Sequence, residues 1–207
     1  MLLFFLLLIL YDYMSTINID PKKTALVVID MQKGIAAMQR PFEPNSSTQV
    51  INNVVKLTNK FRSINSTVVL VHVNSHDGQD MLKPIVDVAP SWGTGERPKD
   101  WSDFIEQINR SDKDIIITKR QWGAFYGTEL DLQLRRRGIS TIVLCGISTN
   151  IGVETTAREA YQHGYNQIFA IDAMTASSKE EHDTTQKFIF PRIGLIRSTD
   201  EVIAMIN

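Results

Sequence analysis

Residues 140–165, STIVLCGISTNIGVETTAREAYQHGY, decide the fold. The first seven residues are apolar and β-branched without alternation. They are too few for a buried helix, so they predict a strand covered on both faces. ISTNIG then turns the chain. From there Val153, Thr156, Ala157, Ala160 and Tyr161 recur at i, i+3, i+4, i+7 and i+8, the spacing of one helical face, and Gly164 supplies the stop. Residues 167–171, QIFAI, form another short apolar run. Strand, helix and strand in this order predict two parallel strands joined by a right-handed crossover.

The same alternation extends in both directions. TALVVID (24–30), STVVLVHV (66–73) and DIIIT (114–118) read as buried strands. Residues 48–61 place Val50, Ile51, Val54, Val55, Thr58 and Phe61 on one helical face. Residues 128–137 read as a helix opened by a Thr128/Asp131 capping box and closed by Gly138, with Arg135–Arg137 complementing its dipole. A helix over 179–190 up to Pro191, a sixth strand over 194–197 and a closing helix complete the chain. The expectation is an α/β fold: a Rossmann-like, doubly wound, mainly parallel six-stranded sheet with helices on both faces, in one domain over residues 14–207. Residues 77–103, rich in Pro, Gly and Trp, have no period and predict a long loop covering the site.

Composition narrows the function classes. With 22 Lys+Arg against 23 Asp+Glu in 207 residues, the net charge of −1 argues against a chain built to coat nucleic acid or an anionic membrane. One cysteine, Cys145, cannot close an intramolecular disulfide or build a multi-cysteine zinc site. The opening run MLLFFLLLIL is about half the length of a membrane span, and neither a preceding basic residue nor a small-x-small cleavage site accompanies it. Residues 1–13 therefore read as an apolar extension outside the fold, the alternative being a targeting or anchoring segment; no stable membrane insertion is expected, and the protein reads as cytoplasmic.

In an open parallel sheet, ligands bind outside the carboxyl ends of the strands, where strand order reverses. The residues there are Asp30 after the first strand, His72–Asn74 at the second, Lys119 after the third and Gly146 at the end of the fourth. Asp30 could be a helix N-cap and Lys119 a surface lysine; together they form an acid–lysine pair at one edge. Trp122, Phe125 and Tyr126 follow Lys119 as an aromatic wall for a small ring or as core packing. Asn74 could reach the site or cap a loop. His72, His76 and Asp77 do not make a metal site by spacing, since alternate strand residues face opposite ways, and no metal is expected. His163 and His182 lie on predicted helices and read as surface or interface residues.

Three segments, VVIDMQ with Asp30, ITKRQWGAFYGTELDLQLRRRGI with Lys119, and VLCGISTNIGVETTAREAYQHGY, resemble the isochorismatase-like hydrolase superfamily, which includes nicotinamidases and N-carbamoylsarcosine amidohydrolase. The resemblance covers residues 22–207. It implies a cofactor-free hydrolase of a small-molecule substrate, assembled as a homo-oligomer. It also implies that Asp30 and Lys119 are two members of an Asp-Lys-Cys triad. The cysteine of that triad belongs at position 152, and this sequence has Gly152 there; Cys145 lies inside the fourth strand and does not match, which leaves it as a small buried residue. Ile147 and Ser148 match a non-proline cis peptide and backbone donors for an oxyanion. Isochorismatase itself carries glycine at the cysteine position and hydrolyses a vinyl ether without a covalent nucleophile, so the resemblance implies Asp30 as the acid in that reaction. Isochorismate is a dicarboxylate, and Lys83, Arg97, Lys99 and Arg120 are the cations near the site, none within a recognisable motif. The alternative is a non-catalytic or altered-function binding protein on a degenerate, nicotinamidase-like amidohydrolase scaffold. A general acid works best with a pKa near the working pH; a neighbouring ammonium lowers that of Asp30 and burial raises it, and sequence leaves the balance open.

Overall fold

The computed structural model describes residues 17–38, 40–88 and 97–206. The apolar extension 1–13 and, in the long loop, Trp92, Gly93 and Gly95 lie outside the described residues. Six strands form one parallel sheet: β1 (Thr24–Ile29), β2 (Thr67–Val73), β3 (Ile115–Lys119), β4 (Thr141–Ile147), β5 (Asn166–Thr175) and β6 (Leu195–Arg197). Their order is β3-β2-β1-β4-β5-β6, so the winding reverses between β1 and β4. Helices α1 (Lys33–Ala36), α2 (Ser47–Ser63), α3 (Leu130–Arg136), α4 (Glu154–Gln162), α5 (Lys179–Phe188), α6 (Phe190–Ile193) and α7 (Thr199–Met205) connect and flank them.

The two faces of the sheet follow from the period of two along each strand. Leu26 and Val28 of β1 face one layer, where α2 packs Val50, Val54, Leu57 and Phe61 and α7 packs Val202 and Met205. Ala25, Val27 and Ile29 face the other, with Leu130 and Leu134 of α3, Ala157 and Ala160 of α4, and Phe190 of α6. Each large side chain fully buried this way stabilises the fold by roughly 1.5–3 kcal/mol relative to leaving it in water. Cys145 belongs to the first layer and is fully buried. Burial, reinforced by the charge of Asp172, pushes its thiol well above the ordinary range. It is a packing residue.

Several local expectations need correction. No capping box opens α3: its N-cap is Glu129 without a side-chain bond. The Thr128 hydroxyl instead donates to Ala124 O and accepts from Leu130 N–H, while Asp131 accepts from the Tyr165 hydroxyl at 2.8 Å. Pro191 does not end the preceding helix, which breaks at Ile189; it sits in the first turn of α6, where no backbone donor is needed. Strand β5 runs on to Thr175 rather than stopping at Ile171, because Asp172, which breaks the apolar run, is used inside the strand to accept from Thr199 N–H and its hydroxyl at the start of α7. The buried face of α2 includes polar Asn53, whose amide donates to Asp172 O at 2.8 Å. His182 is buried rather than on the surface.

Candidate active site

Strand β1 delivers Asp30 in a backbone conformation that most side chains avoid, with φ at 52°. Its N–H is held by Val71 O at 2.9 Å. Lys119 ends β3, two strand spacings or about 10 Å from β1, so only a long side chain can cross. It does: Lys119 Nζ lies 2.8 Å from Asp30 Oδ2 and donates also to Trp122 O at 2.6 Å, with the side chain 1% exposed.

Strand β4 delivers the third component. Gly146 has φ at 115°, and a Cβ there would fall 2.0 Å from Ile29 O, so only glycine lets the β4 backbone close on β1. The Ile147–Ser148 peptide that follows is cis. Thr149–Val153 then form a π-helical turn, in which Val153 N–H donates to Ser148 O at 3.2 Å. This turn sets Gly152 against the pair: a Cβ on Gly152 would lie 3.1 Å from Asp30 Oδ2 and 3.2 Å from Lys119 Nζ. Asp30, Lys119 and Gly152 thus meet at the point where the sheet reverses its winding.

The electrostatics are decided by burial. Removal from water holds the Asp30 carboxyl above the usual carboxylate range, and the Lys119 ammonium, which pulls the other way by charge and hydrogen bond, does not overcome it. The two carboxyl oxygens differ. Oδ2 is taken by Lys119, whereas Oδ1 is buried and has no hydrogen-bond partner.

Residues 24–201 match the profile of the Isochorismatase domain. The chain belongs to the isochorismatase family. It is 55% identical over 194 residues to YwoC of Bacillus subtilis (strain 168), an uncharacterised isochorismatase family protein, covering 94% of this chain and 100% of that one. It is 49% identical over 190 residues to YecD of Escherichia coli O157:H7, an uncharacterised protein of the same family, covering 90% and 98%. The structure of an isochorismatase family protein from Burkholderia thailandensis superposes with a TM-score of 0.84 at 41% identity, covering 91% of this chain and 97% of that one. No helix among the described residues of this isochorismatase-family hydrolase is long and apolar enough to cross a membrane.

The remaining site expectations fall on both sides of the edge. Asn74 is half-buried at the end of β2; its N–H donates to Lys119 O at 3.1 Å and its side chain accepts from Ser75 N–H. It borders an open cavity of about 340 Å³ together with Lys83, Arg97, Lys99 and Trp101. Trp122 gives its carbonyl to Lys119, and its indole is exposed, as is Tyr126. Phe125 does not join the site. Its ring packs on Tyr165 and His163 and belongs to the core layer of α3 and α4. His72 spends both ring nitrogens on Ser102 O and the Thr118 hydroxyl, and among the described residues no three His, Cys, Asp or Glu side chains gather as a metal site.

Sequence reading missed five residues around the pair. Gln32, fully buried, donates to Val73 O and Trp101 O and accepts from Val73 N–H, fixing the end of β2 and the returning loop against β1. Gly34 leaves room for the Trp101 indole, which a Cβ would overlap at 2.0 Å. Thr149 pairs with the buried His182. Thr156, read only as a point on a helical stripe, and Glu159 bond to the turn after Lys119. For Gln32 the available signal was a polar residue two places after Asp30 at the end of an apolar strand.

Proposed function

We propose that this chain hydrolyses a vinyl ether of a small carboxylated molecule, with Asp30 as general acid and without a covalent intermediate. The observation that carries this reading is the division of labour on one carboxyl group: Oδ2 is bound to Lys119, whereas Oδ1 is buried and unpartnered, and burial shifts the carboxyl towards its protonated form relative to an ordinary carboxylate. A buried oxygen with no protein partner is costly unless a ligand uses it. Asp30 gives its proton to the terminal carbon of the enol ether, and the ether oxygen stabilises the resulting cation. Water adds to the ether-bearing carbon of that cation and loses a proton, and the hemiketal collapses to a ketone and an alcohol. One water is consumed, and Asp30 regains its proton in the return to the resting state. Lys119 fixes the acid's orientation and balances the carboxylate formed in mid-reaction.

Gly152 fits this chemistry because the reaction needs space beside Asp30, not a nucleophile. Asp30, Lys119 and Gly152 do not line the cavity beside Asn74, so its role is that of a neighbouring cationic rim for a substrate carboxylate: no acidic side chain among the described residues borders it, and Lys83 and Lys99 have no ion-pair partner among them. Two nearby acids are already engaged, Asp80 by Arg120 and Asp100 by Lys33. Its size suits a single small ring.

The test is a substrate panel of isochorismate, nicotinamide and carbamoyl amides, run on wild type, Asp30→Asn and Gly152→Cys. Wild type is expected to turn over isochorismate, and Asp30→Asn to lose about 10²–10⁴-fold in kcat. A Lys83→Ala/Lys99→Ala double variant is expected to raise KM with kcat retained. Full turnover by Asp30→Asn would remove the acid role. Amidase activity seen only in Gly152→Cys would instead favour a binding protein on a degenerate amidohydrolase scaffold.

A further inference from the structure

Lys119 reaches the site on a long side chain, and something must fix where its ammonium ends. One of its two acceptors is Trp122 O, in the turn directly after β3. That turn is held by α4. Ala124 N–H donates to Thr156 Oγ1 at 3.1 Å, and Phe125 N–H donates to Glu159 Oε2 at 2.9 Å. Thr156 and Glu159 are three residues apart and so lie on one face of the helix. Gly123, between the two bonded amides and Trp122, has no side chain to keep Glu159 away; a Cβ there would fall 2.3 Å from Glu159 Oε1.

Thr156 also faces the other half of the site. Its hydroxyl donates to Gly152 O at 2.6 Å and is fully buried. A threonine bonding the carbonyl four residues back is common in helices. A threonine that at the same time accepts from a backbone amide of another element is not explained by helix geometry. One hydroxyl thereby joins the turn that orients Lys119 to the turn that carries Gly152.

We propose that Thr156 and Glu159 are positioning residues: through the 122–125 turn they fix the Lys119 ammonium against Asp30 and Gly152. This rests on the preceding reading only in taking Asp30 and Lys119 as the working pair. The test needs no substrate, so inactivity on isochorismate leaves it standing.

The experiment follows the Asp30 carboxyl carbon by NMR during a pH titration of 13C-labelled full-length protein. In Thr156→Val the Ala124 N–H loses its acceptor, the turn loosens, and the ammonium withdraws from Asp30. The Asp30 titration is expected to move up by about half a pH unit or more. Thr156→Ser, which keeps the hydroxyl, is expected to titrate as wild type. Glu159→Ala should move the titration the same way and Glu159→Gln, which keeps an acceptor, should restore it. Glu159 is only partly buried, so this second pair carries the test if Thr156→Val fails to fold. His72, the other charge acting on Asp30, keeps its own two partners in all four variants. Variants that lower Tm but leave the Asp30 titration in place would show a purely structural role and overturn the proposal.

Discussion

Asp30 combines three conditions that each cost stability: a left-handed backbone, burial, and an oxygen without a partner. A test of that cost is Asp30→Asn. Asparagine has the same shape, tolerates positive φ, and its carbonyl can still accept from Lys119. In wild type the folded carboxyl binds its proton more tightly than the unfolded one, because burial raises its pKa. The native state therefore holds more protons than the unfolded state once pH passes the ordinary carboxylate value, and stability falls as pH rises towards the folded pKa. Asp30→Asn lacks this loss. Urea unfolding at pH 4 and pH 7 is expected to show the variant gaining on wild type with rising pH, while activity is lost. If wild type gained instead, the acid would be ionised in the fold and could not donate. Asp30 and Lys119 were legible in the sequence because both terminate apolar strands, whose carboxyl ends share an edge in any parallel sheet. Which influence governs the Asp30 proton was not, because burial is a property of the assembled layers. Phe125 and Trp122 show the same limit: neighbouring aromatics in one turn point to opposite environments, one into the core and one into water.

At the scale of elements, strands were legible because a run such as TVVLVHV can only be a buried strand, whereas helix α5, KEEHDTTQKF, hides its inner face. Its buried residues are His182 and Thr185, and a polar stripe does not read as a core face. Thr185 donates to Glu154 on α4, and His182 Nδ1 meets the Thr149 hydroxyl at 2.8 Å. Helix α5 thus fastens the π-helical turn that carries Gly152. Burial lowers the His182 pKa, with Asp183 and Lys179 as the nearby charges acting in opposite directions. A histidine held neutral in the fold protonates more readily when unfolded. Stability is therefore complete above the ordinary histidine pKa and is lost as pH falls below it, towards the folded value, with a slope of up to about 1.4 kcal/mol per pH unit. Thermal unfolding between pH 7.5 and 5 is expected to show Tm falling faster in wild type than in His182→Asn, which keeps a polar atom near the Nδ1 position. Parallel profiles would mean that His182 does not titrate in this window.

The whole molecule places its chemistry by topology. Because β1 and β4 are adjacent while their connections leave in opposite directions, the edge between them is open and Asp30 faces Gly152 across it. The fold needs little beyond these layers, and that bears on where the domain begins. Ile17 and Ile19 pack against the layer of α2 and α7, and Ile19 N–H donates to Met205 O at 3.0 Å. This strap ties the chain entrance to its last helix. We propose that the folding unit starts just before this strap, at about Met14. A chain beginning at Met14 keeps the strap and is expected to unfold within about 2 °C of the full-length protein and to be more soluble. A chain beginning at Lys22 loses both isoleucine contacts and the bond to Met205. At roughly 1–3 kcal/mol for such a loss, and about 2–4 °C per kcal/mol in a domain of this size, its Tm is expected to drop by several degrees or more. Calorimetry on the two truncations and the full chain decides the matter: a large loss already at Met14 would make the apolar run part of the core.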